Sequence, residues 1–419
     1  MPLNVGFIGT RFSGLDGVSL ESAKWAEVLW DFRHISHWFA GELDRDPGFS
    51  MLVPEAFFNH PDNLEINNNI FNKTTRPREI TDKIQVMKNY LKDKIYEFID
   101  KFYINLIIAQ NCLAIPMHIP LGLALTEVIA ETGIPTIAHH HDFTWERTRF
   151  LVNGINDYIE MAFPPTLPSI RHVVINSLAQ KELAARKGVS SFLIPNVINF
   201  NDNKPWFDDF NKNLREELGF TKDDILILQP TRIVMRKGIE HAITLVKKLN
   251  LPNAKLVISH SSGDEGMEYY HWLIELAKNE GVEVYFISNR LHDKRKYDEN
   301  GNKLFSLWDL YPHADLITYP SSYEGFGNAF IEAIYFKKPI VVNRYSIYVT
   351  DIEPKGFEVI TMNNYVSDET IEKVKEVIFN KELREKMVNK NFELGKKFFS
   401  YEVLRKKFQS ILTSFYGIL

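Results

Sequence analysis

Short runs of aliphatic and β-branched residues alternate along the chain with segments of helical periodicity. The runs in the first half are LNVGFIG, INLIIAQ, IPTIAHH and HVVINS, and those in the second half are DILILQP, AKLVISH, VEVYFIS, ADLITYP and PIVVN. Continuous apolar strands separated by helices are typical of parallel sheets with helices on both faces. The pattern therefore predicts an α/β protein with two doubly wound, Rossmann-like sheets.

An irregular polar segment separates the two strand series. Residues 192–210, FLIPNVINFNDNKPWFDDF, interrupt the periodicity with prolines and asparagines. We expect one domain over residues 1–198 and a second over residues 199–399. Residues 400–419 have an apolar face at helical spacing, which predicts a last helix that crosses back onto the first domain; a peripheral helix on the second domain is the alternative. Because such sheets bind ligands beyond the carboxyl ends of their strands, we expect the chemistry in a cleft between the domains.

Composition narrows the class of protein. The chain has 419 residues, 45% of them hydrophobic, which is enough for two cores. Its 49 basic and 54 acidic residues nearly cancel, so a nucleic acid or an anionic membrane is not an expected partner. The single cysteine, Cys112, cannot form an internal disulfide, and no apolar run approaches the roughly 20 residues that span a bilayer. We expect a soluble cytoplasmic protein without integral membrane association, and the oligomeric state stays open. The Asn-rich stretch EINNNIFNKTTRPRE is predicted to be a solvated loop.

Two glutamates eight positions apart mark one strand-loop-helix segment. In YPSSYEGFGNAFIEAI, Glu324 falls in a Gly-rich loop and Glu332 in the following helix. The first amides of that helix present partial positive charge that suits a diphosphate; they belong to Gly327, Asn328 and Ala329. Glu332, one turn later, is positioned for a pair of hydroxyls such as a ribose offers. The alternative is that Glu324 caps the helix and Glu332 is a solvated surface residue.

A second strand-to-helix turn carries two cations. The segment QPTRIVMRKGIEHAI follows the strand DILIL and places Arg232 and Lys237 five positions apart. Fixed cations at the carboxyl edge of the sheet would stabilise a pyrophosphate leaving group as its charge grows. Ordinary solvated basic residues are the alternative.

The segment HHHDFTWERTRF ends a strand with three consecutive histidines. Adjacent side chains on a strand point to opposite faces, so these histidines cannot all converge on one ion, and no metal site is predicted. Beyond them, the Trp145 indole is a possible platform for a sugar ring. Arg147, Arg149 and, from the first loop, Arg11 suit an acidic acceptor that bears a carboxylate or phosphate. Surface salt bridges made by these arginines are the alternative.

The chain resembles the family 4 glycosyltransferases of GT-B fold. The resemblance rests on RIVMRKG followed by ADLITYPSSYEGFGNAFIEAIYFKKPIVV, which matches the E-x7-E signature of that family, and it is close over residues 172–345. It implies a retaining transfer of a hexose from a GDP- or UDP-linked sugar to an acceptor hydroxyl, with no required metal or other cofactor. It also implies that Arg232 and Lys237 hold the diphosphate, Glu324 contacts the donor sugar and Glu332 binds the ribose. The loop backbone at Phe326, Gly327 and Asn328 would complete the donor contacts.

The resemblance extends more loosely to the first half. FIGTRFSGLDGVSLESA is similar to the first loop of the family, where Gly14 and Gly17 would allow close approach to donor phosphate and acceptor. It lacks the G-x-G-x-x-G spacing of a nicotinamide-binding site. The pair His141 and Asp142 matches the family's strand end near the donor sugar, with His141 near the reacting carbon and Asp142 on the acceptor side. The surrounding HHHDFTWERTRF is similar to enzymes that build mannosyl- or glucosyl-glycerate solutes, which implies a glycosylglycerate or its phosphate as acceptor.

Two other functions are compatible with these residues. A nucleotide-sugar epimerase or hydrolase of the same fold would turn over the donor without an acceptor. A non-catalytic nucleotide-sugar-binding protein would bind the donor without turnover.

Overall fold

The computed structural model describes residues 2–14, 17–202, 206–261 and 267–417. The chain forms two compact units. Unit 1 comprises Met1–Val197 together with Tyr401–Leu419, and unit 2 comprises Ile198–Ser400. Each unit is built on one large sheet whose neighbouring strands all run parallel. The predicted architecture, two Rossmann-like parallel sheets, is therefore correct.

Unit 1 contains a seven-stranded sheet of order β3-β2-β1-β4-β5-β6-β7. Its strands are β1 (Asn4–Ile8), β2 (Ile35–Ala40), β3 (Ser50–Leu52), β4 (Leu106–Gln110), β5 (Thr136–His140), β6 (Ile170–Val174) and β7 (Ser191–Leu193). The helices between them are α1 (Gly17–Asp31), α2 (Pro61–Ile70), α3 (Arg78–Phe102), α4 (Ile119–Thr132), α5 (Thr148–Leu151), α6 (Asn156–Ala162) and α7 (Ser177–Lys187). The sequence pattern had indicated β1, β4, β5 and β6.

The two faces of this sheet are buried in separate cores because successive strand side chains alternate. In β1, Val5 and Phe7 pack into the core beneath α1, whereas Ile8 packs into the core beneath α3 and α4. In β4, Ile107 and Ile108 divide between the two cores in the same way. This burial on both faces explains why the strands are continuous apolar runs instead of alternating ones.

The Asn-rich stretch, residues 65–79, is a loop only in part. Residues 65–70 lie in α2, where the loop prediction is wrong, whereas residues 71–77 connect α2 to α3 without helix. Helix α2 begins after His60, whose ring nitrogen accepts a hydrogen bond from Asp62 N at 3.3 Å, and Pro61 occupies its first turn. Ile66 and Ile70 lie one turn apart and are fully buried. Their burial, together with the favourable start of the helix, outweighs the poor helix propensity of asparagine.

Unit 2 contains a six-stranded sheet of order β10-β9-β8-β13-β14-β15 and a separate antiparallel hairpin, β11-β12. Its strands are β8 (Ile225–Gln229), β9 (Ala254–Ile258), β10 (Val284–Phe286), β11 (Lys296–Tyr297), β12 (Lys303–Leu304), β13 (Leu316–Tyr319), β14 (Ile340–Asn343) and β15 (Ile360–Met362). Its helices are α8 (Leu214–Glu217), α9 (Ile239–Leu249), α10 (Glu268–Glu280), α11 (Leu307–Leu310), α12 (Asn328–Tyr335), α13 (Asp368–Phe379) and α14 (Lys381–Phe399). Short 3-10 helices at Met235–Lys237 and Tyr311–His313 carry residues of the candidate site.

The last helix, α15 (Tyr401–Tyr416), belongs to unit 1. Leu404 and Phe408 lie on its buried face, and the Phe408 ring meets the edge of Trp25 in α1 at 5.9 Å. The Tyr401 hydroxyl donates to Glu27 of α1 at 2.7 Å. The crossing predicted from the helical apolar face is therefore present, and the alternative of a peripheral unit 2 helix is excluded. Within the described part of the chain, no helix combines the length and the apolarity that a bilayer span requires.

Candidate active site

Strands β9, β8 and β13 are neighbours in unit 2, and the loops after them meet at the carboxyl edge of the sheet. Ser322 N, in the loop after β13, donates to Arg236 O after β8 at 2.9 Å. Ile233 N donates to Ser261 O, after β9, at 3.0 Å. The edge at which a doubly wound sheet binds ligands thus gathers three loops, and these loops carry most of the predicted donor residues.

Lys237 and Glu324 form a buried ion pair at this edge. The Lys237 ammonium donates to Glu324 Oε1, and the two residues are 9% and 8% exposed. Burial raises the pKa of Glu324, but Lys237, then Ser321 and Arg236, outweigh it, so the net pKa lies below its ordinary value and the carboxylate is ionised at neutral pH. The burial of Lys237 excludes the interpretation of this lysine as a solvated surface residue.

A glycine brings Lys237 to its partner. The 3-10 helix Met235–Lys237 ends at Gly238, which has φ +60° and also begins α9. A Cβ atom at Gly238 would lie 2.6 Å from Pro320 O, in the loop after β13. Only glycine combines this left-handed backbone with such close approach of two loops, so Gly238 positions Lys237 opposite Glu324.

The pair lies in a positive environment. Arg236 Nη1 is 3.8 Å from Glu324 Oε2, and Arg232, with an exposed side chain, is close enough to act on Lys237 and His260 electrostatically. Burial, followed by the charges of Arg232 and Lys237, lowers the pKa of His260 to about 4. Burial also lowers the pKa of Lys237, the arginines act in the same direction, and Glu324 opposes them. One carboxylate among three cations leaves a surplus of positive charge, which an anionic ligand would neutralise.

The Gly-rich loop after β13 turns into α12 at Gly327. This residue has φ +125°, and a Cβ atom on it would lie 2.4 Å from the Tyr345 hydroxyl. That hydroxyl donates to Phe326 O at 2.7 Å, and the Phe326 ring packs against Phe399, so Phe326 can offer a ligand only its backbone. No side chain caps α12 at Gly327, and Glu324 pairs with Lys237. The alternative of Glu324 as the helix cap is therefore excluded. Asn328 and Ala329 form the first turn of α12, as the pattern indicated.

Glu332 lies one turn into α12 and is held by two hydrogen-bond donors. The Tyr311 hydroxyl donates to Glu332 Oε2 at 2.7 Å, and the Trp308 indole nitrogen donates to Oε1 at 3.3 Å. Tyr311 is fully buried and Trp308 is 40% exposed. Glu332 is therefore an oriented, partly buried carboxylate and not a solvated surface residue.

The three histidines of unit 1 alternate between the faces of β5 as predicted. His139 Nδ1 lies 3.0 Å from Gln110 Oε1, and His141, after the strand end, approaches the same atom at 3.4 Å. His140 points the other way and lies 2.9 Å from His172 Nδ1 through its Nε2. Burial lowers the pKa of His172 to about 4, and it also lowers those of His139 and His140, so these rings are neutral at pH 7. Among the residues that the structure describes, no three His, Cys, Asp or Glu side chains are grouped as metal ligands.

Asp142 belongs to a hydrogen-bonded group beside His141. Asn111 donates from its side chain to Asp142 Oδ1 at 2.9 Å and accepts from His141 N at 3.0 Å. Arg147 donates to Asp142 Oδ2. One predicted acceptor arginine thus forms a salt bridge with a predicted acceptor carboxylate, as the alternative reading of these arginines allowed.

Trp145 is engaged by protein groups. Its ring lies parallel to that of Phe143 at 4.5 Å, and the Arg186 guanidinium lies over it at 5.2 Å. A sugar could use the indole as a platform only if Arg186 moved. Arg149, on the same segment, is exposed and lies over the Phe150 ring at 4.5 Å.

The first loop of unit 1 is described up to Gly14 and again from Gly17. Gly14 has φ +66°, and its amide donates to Asp44 Oδ2 at 3.0 Å, so a protein carboxylate occupies the position predicted for a phosphate contact. Gly17 begins α1. Arg11 lies over the Phe58 ring at 5.2 Å.

Several residues that shape these edges were missed by the sequence analysis. Arg236 directly precedes Lys237 in the 3-10 helix after β8. His260 and Asn111 lie just beyond the ends of β9 and β4, and a polar residue after an apolar run is the signal that could have identified them. Asn111 also has φ +58°, which is uncommon for a residue other than glycine. Tyr311 had no such local signal, because its partner is 21 positions away in the chain.

Two Rossmann-like units, with a buried lysine-glutamate pair and further cations at the carboxyl edge of the second, define a glycosyltransferase of GT-B fold. Residues 210–393 match the family described as Glycosyl transferases group 1. The chain belongs to this glycosyltransferase family.

Curated relatives match nearly the whole chain. The mannosylglucosylglycerate synthase of Petrotoga mobilis is 33% identical over 96% of this chain and 100% of that protein. The mannosylglucosylglycerate synthase of Thermotoga maritima is 31% identical over 96% of this chain and 98% of that protein. Among solved structures, Anabaena HepE in complex with UDP-glucose superposes with a TM-score of 0.66 over 98% of this chain and all of that one, at 13% identity, which shows the shared fold.

Proposed function

We propose that this glycosyltransferase transfers a mannosyl group, with retention of configuration, from a GDP- or UDP-linked donor to a hydroxyl of glucosylglycerate. The observation that carries the proposal is the similarity to two mannosylglucosylglycerate synthases over 96% of this chain. The broader form of the proposal is transfer of a hexose to a small acidic acceptor, which includes the phosphorylated form of glucosylglycerate.

The charge at the carboxyl edge of unit 2 supports a diphosphate donor. Arg232, Arg236 and Lys237 exceed the single carboxylate of Glu324. A bound diphosphate would supply the missing negative charge and would raise the pKa of Lys237 again. As the donor bond breaks, negative charge on the leaving phosphate increases, so these cations stabilise the transition state more than the bound ground state.

We propose front-face substitution as the reaction path. The bond from the anomeric carbon to the phosphate oxygen breaks, and the acceptor oxygen forms its bond on the same face. The acceptor hydroxyl gives its proton to the departing phosphate oxygen, so no protein carboxylate has to act as nucleophile. In this scheme Glu324 contacts sugar hydroxyls and holds Lys237 in place, His141 lies near the reacting carbon, and most of the rate enhancement comes from positioning and electrostatics.

The arginines of unit 1 support an acidic acceptor. Arg149 and Arg11 are each held against an aromatic ring, which reduces the entropy lost when a guanidinium binds a ligand. Arg147 is paired with Asp142 and would have to share its guanidinium with the acceptor. A glycerate carboxylate is the kind of group that such guanidiniums bind, so these arginines are the candidates for the acceptor contacts.

The test is a matrix of donors and acceptors. Purified protein is incubated with GDP-mannose, GDP-glucose, UDP-mannose and UDP-glucose, each with glucosylglycerate, its phosphorylated form or a neutral methyl glucoside. NMR of the product reports the sugar, the linkage and the anomeric configuration. We expect a mannosyl product on glucosylglycerate with the donor's configuration, and an inverted product would refute the proposed path.

Variants test the acceptor assignment separately. Arg149→Ala and Arg147→Ala should raise the KM for glucosylglycerate and leave the donor KM unchanged. Arg78→Ala is the matched control, because its side chain is 92% exposed and only approaches Asp82 at 3.9 Å. If neutral glucosides react equally well and both variants keep full acceptor affinity, the acidic acceptor is wrong and the donor assignment stands. Donor turnover without any acceptor product would favour a hydrolase or epimerase, and donor binding without turnover would favour a binding protein.

A further inference from the structure

The Tyr311 side chain is fixed in place beneath Glu332. It opens the 3-10 helix Tyr311–His313, just before β13, and it is fully buried. Its ring lies parallel to that of Phe336 at 5.1 Å with an interplanar angle of 8°. Phe336 directly follows α12, so the same helix end that carries Glu332 also anchors the ring whose hydroxyl reaches Glu332 Oε2.

Trp308 supplies the second donor from α11. Its indole nitrogen is 3.3 Å from Glu332 Oε1, and its ring packs against Tyr335 and Phe336, both at 5.3 Å. An indole nitrogen can only donate. Burial and the Glu332 charge raise the pKa of Tyr311 well above its ordinary value, so its hydroxyl keeps its proton and also donates.

One donor on each carboxylate oxygen fixes the plane of the carboxylate. A carboxylate oxygen can accept about two hydrogen bonds, so a protein donor on an oxygen does not by itself prevent a ligand hydroxyl from bonding to the same atom. A vicinal diol is the ligand whose two hydroxyls match two coplanar acceptor oxygens. Without the donors, the Glu332 side chain could rotate among its rotamers, and a diol would have to order it on binding.

We propose that Tyr311 and Trp308 are positioning residues that orient Glu332 to recognise the ribose diol of the donor nucleotide. The inference rests on the proposed function, in which Glu332 binds that ribose. Neither residue is required to touch the donor. Tyr311 makes the shorter bond from a rigid, buried position, so it should contribute more than Trp308.

The experiment compares nucleotides with and without the diol. Calorimetry with GDP and UDP selects the nucleotide that the wild-type protein binds more tightly, and its 2′,3′-dideoxy form is then titrated in parallel. Tyr311→Phe should weaken binding of the ribose form roughly fivefold to tenfold, the scale of one ordinary hydrogen bond, because its effect reaches the ligand only through Glu332; binding of the dideoxy form should stay unchanged. In kinetics, the donor KM should rise while kcat is kept.

Tyr96→Phe is the matched control. The Tyr96 hydroxyl donates to Glu131 at 2.7 Å, the length of the Tyr311 bond, but both residues belong to helices of unit 1. This variant should bind both nucleotide forms like the wild type. Trp308→Phe removes the half-exposed donor and should show a smaller loss that is again confined to the ribose form; it provides a second test if Tyr311→Phe loses its fold.

A double-variant cycle separates positioning from a structural role. In a Glu332→Ala background, Tyr311→Phe should cause no further loss of ribose-form affinity, because its effect passes through Glu332. Three outcomes would overturn the inference. Tyr311→Phe could lose affinity equally for the ribose and dideoxy forms, or Tyr311→Phe and Trp308→Phe could both keep the wild-type preference for the ribose form. The third outcome is that the effects of Tyr311→Phe and Glu332→Ala on ribose-form affinity add up in the cycle. If hexosyl transfer by the wild type is observed in the same preparation, the proposed function survives that result. A wild-type protein that neither binds a nucleoside diphosphate nor transfers a hexose refutes both.

Discussion

Replacing Lys237 by methionine should destabilise unit 2 because it leaves the Glu324 carboxylate buried without its main partner. Removing one member of a buried ion pair typically costs about 3 to 5 kcal/mol. Arg236 Nη1 remains 3.8 Å from Glu324 Oε2, and an effective dielectric constant of about 20 gives that contact an attraction on the order of 4 kcal/mol. We therefore expect a cost at the lower end, about 3 kcal/mol, in the free energy of unfolding.

The pH dependence of this cost identifies its origin. In the wild type the pKa of Glu324 is lowered in the folded state, so its contribution to stability is present above the unfolded pKa and is lost as pH falls through the folded value. In Lys237→Met burial dominates and the pKa of Glu324 rises, so stability is lost as pH increases through the new value. The contribution of Glu324 to stability thus changes with pH in opposite directions in the two proteins. The difference between their free energies of unfolding should grow from pH 4.5 towards pH 8.

Denaturant unfolding at several pH values measures this difference, and hydrogen exchange of α9 and α12 assigns it to unit 2. The double variant Lys237→Met/Glu324→Gln removes both charges and should recover most of the lost stability, while hexosyl transfer stays impaired. A stability difference that does not change with pH, or a double variant as unstable as the single one, would refute the ion-pair reasoning.

Three further predictions concern backbone strain, buried histidines and metal ions. Gly327→Ala should cost about 1 to 3 kcal/mol of stability and weaken nucleotide binding, because its new methyl group meets Tyr345. Gly281→Ala is the control: Gly281 has φ +67° and open space around it, so this variant should cost less stability and leave nucleotide titrations unchanged. Between pH 6.5 and 4 these histidines bind more protons in the unfolded chain than in the folded His140 and His172 pair. The free energy of unfolding should therefore fall as pH is lowered through that window, by on the order of 3 kcal/mol for His172. His172→Gln should make the free energy of unfolding less dependent on pH. Chelation with EDTA should leave hexosyl transfer intact because fixed side-chain cations serve the donor site, and a complete loss that a divalent ion restores would contradict this expectation.

The sequence by itself determined the α/β class, most of the central strands and the location of the predicted donor residues after strand ends. Periodicity and strand length are local properties of the sequence. They predict the strands correctly because both faces of each sheet must be buried, whatever the detailed packing. The spacing of Glu324 and Glu332 likewise reflects one contiguous strand, loop and helix. These features require no knowledge of which strands are neighbours.

The tertiary structure alone decided what those residues contact. Lys237 meets Glu324, 87 positions away, only because β8 and β13 are adjacent in the sheet and Gly238 lets their loops approach. Tyr311 reaches Glu332 because the turn before β13 packs against the end of α12. Such contacts depend on strand order and on the packing of loops, and neither is encoded in the local pattern from which a single sequence is interpreted.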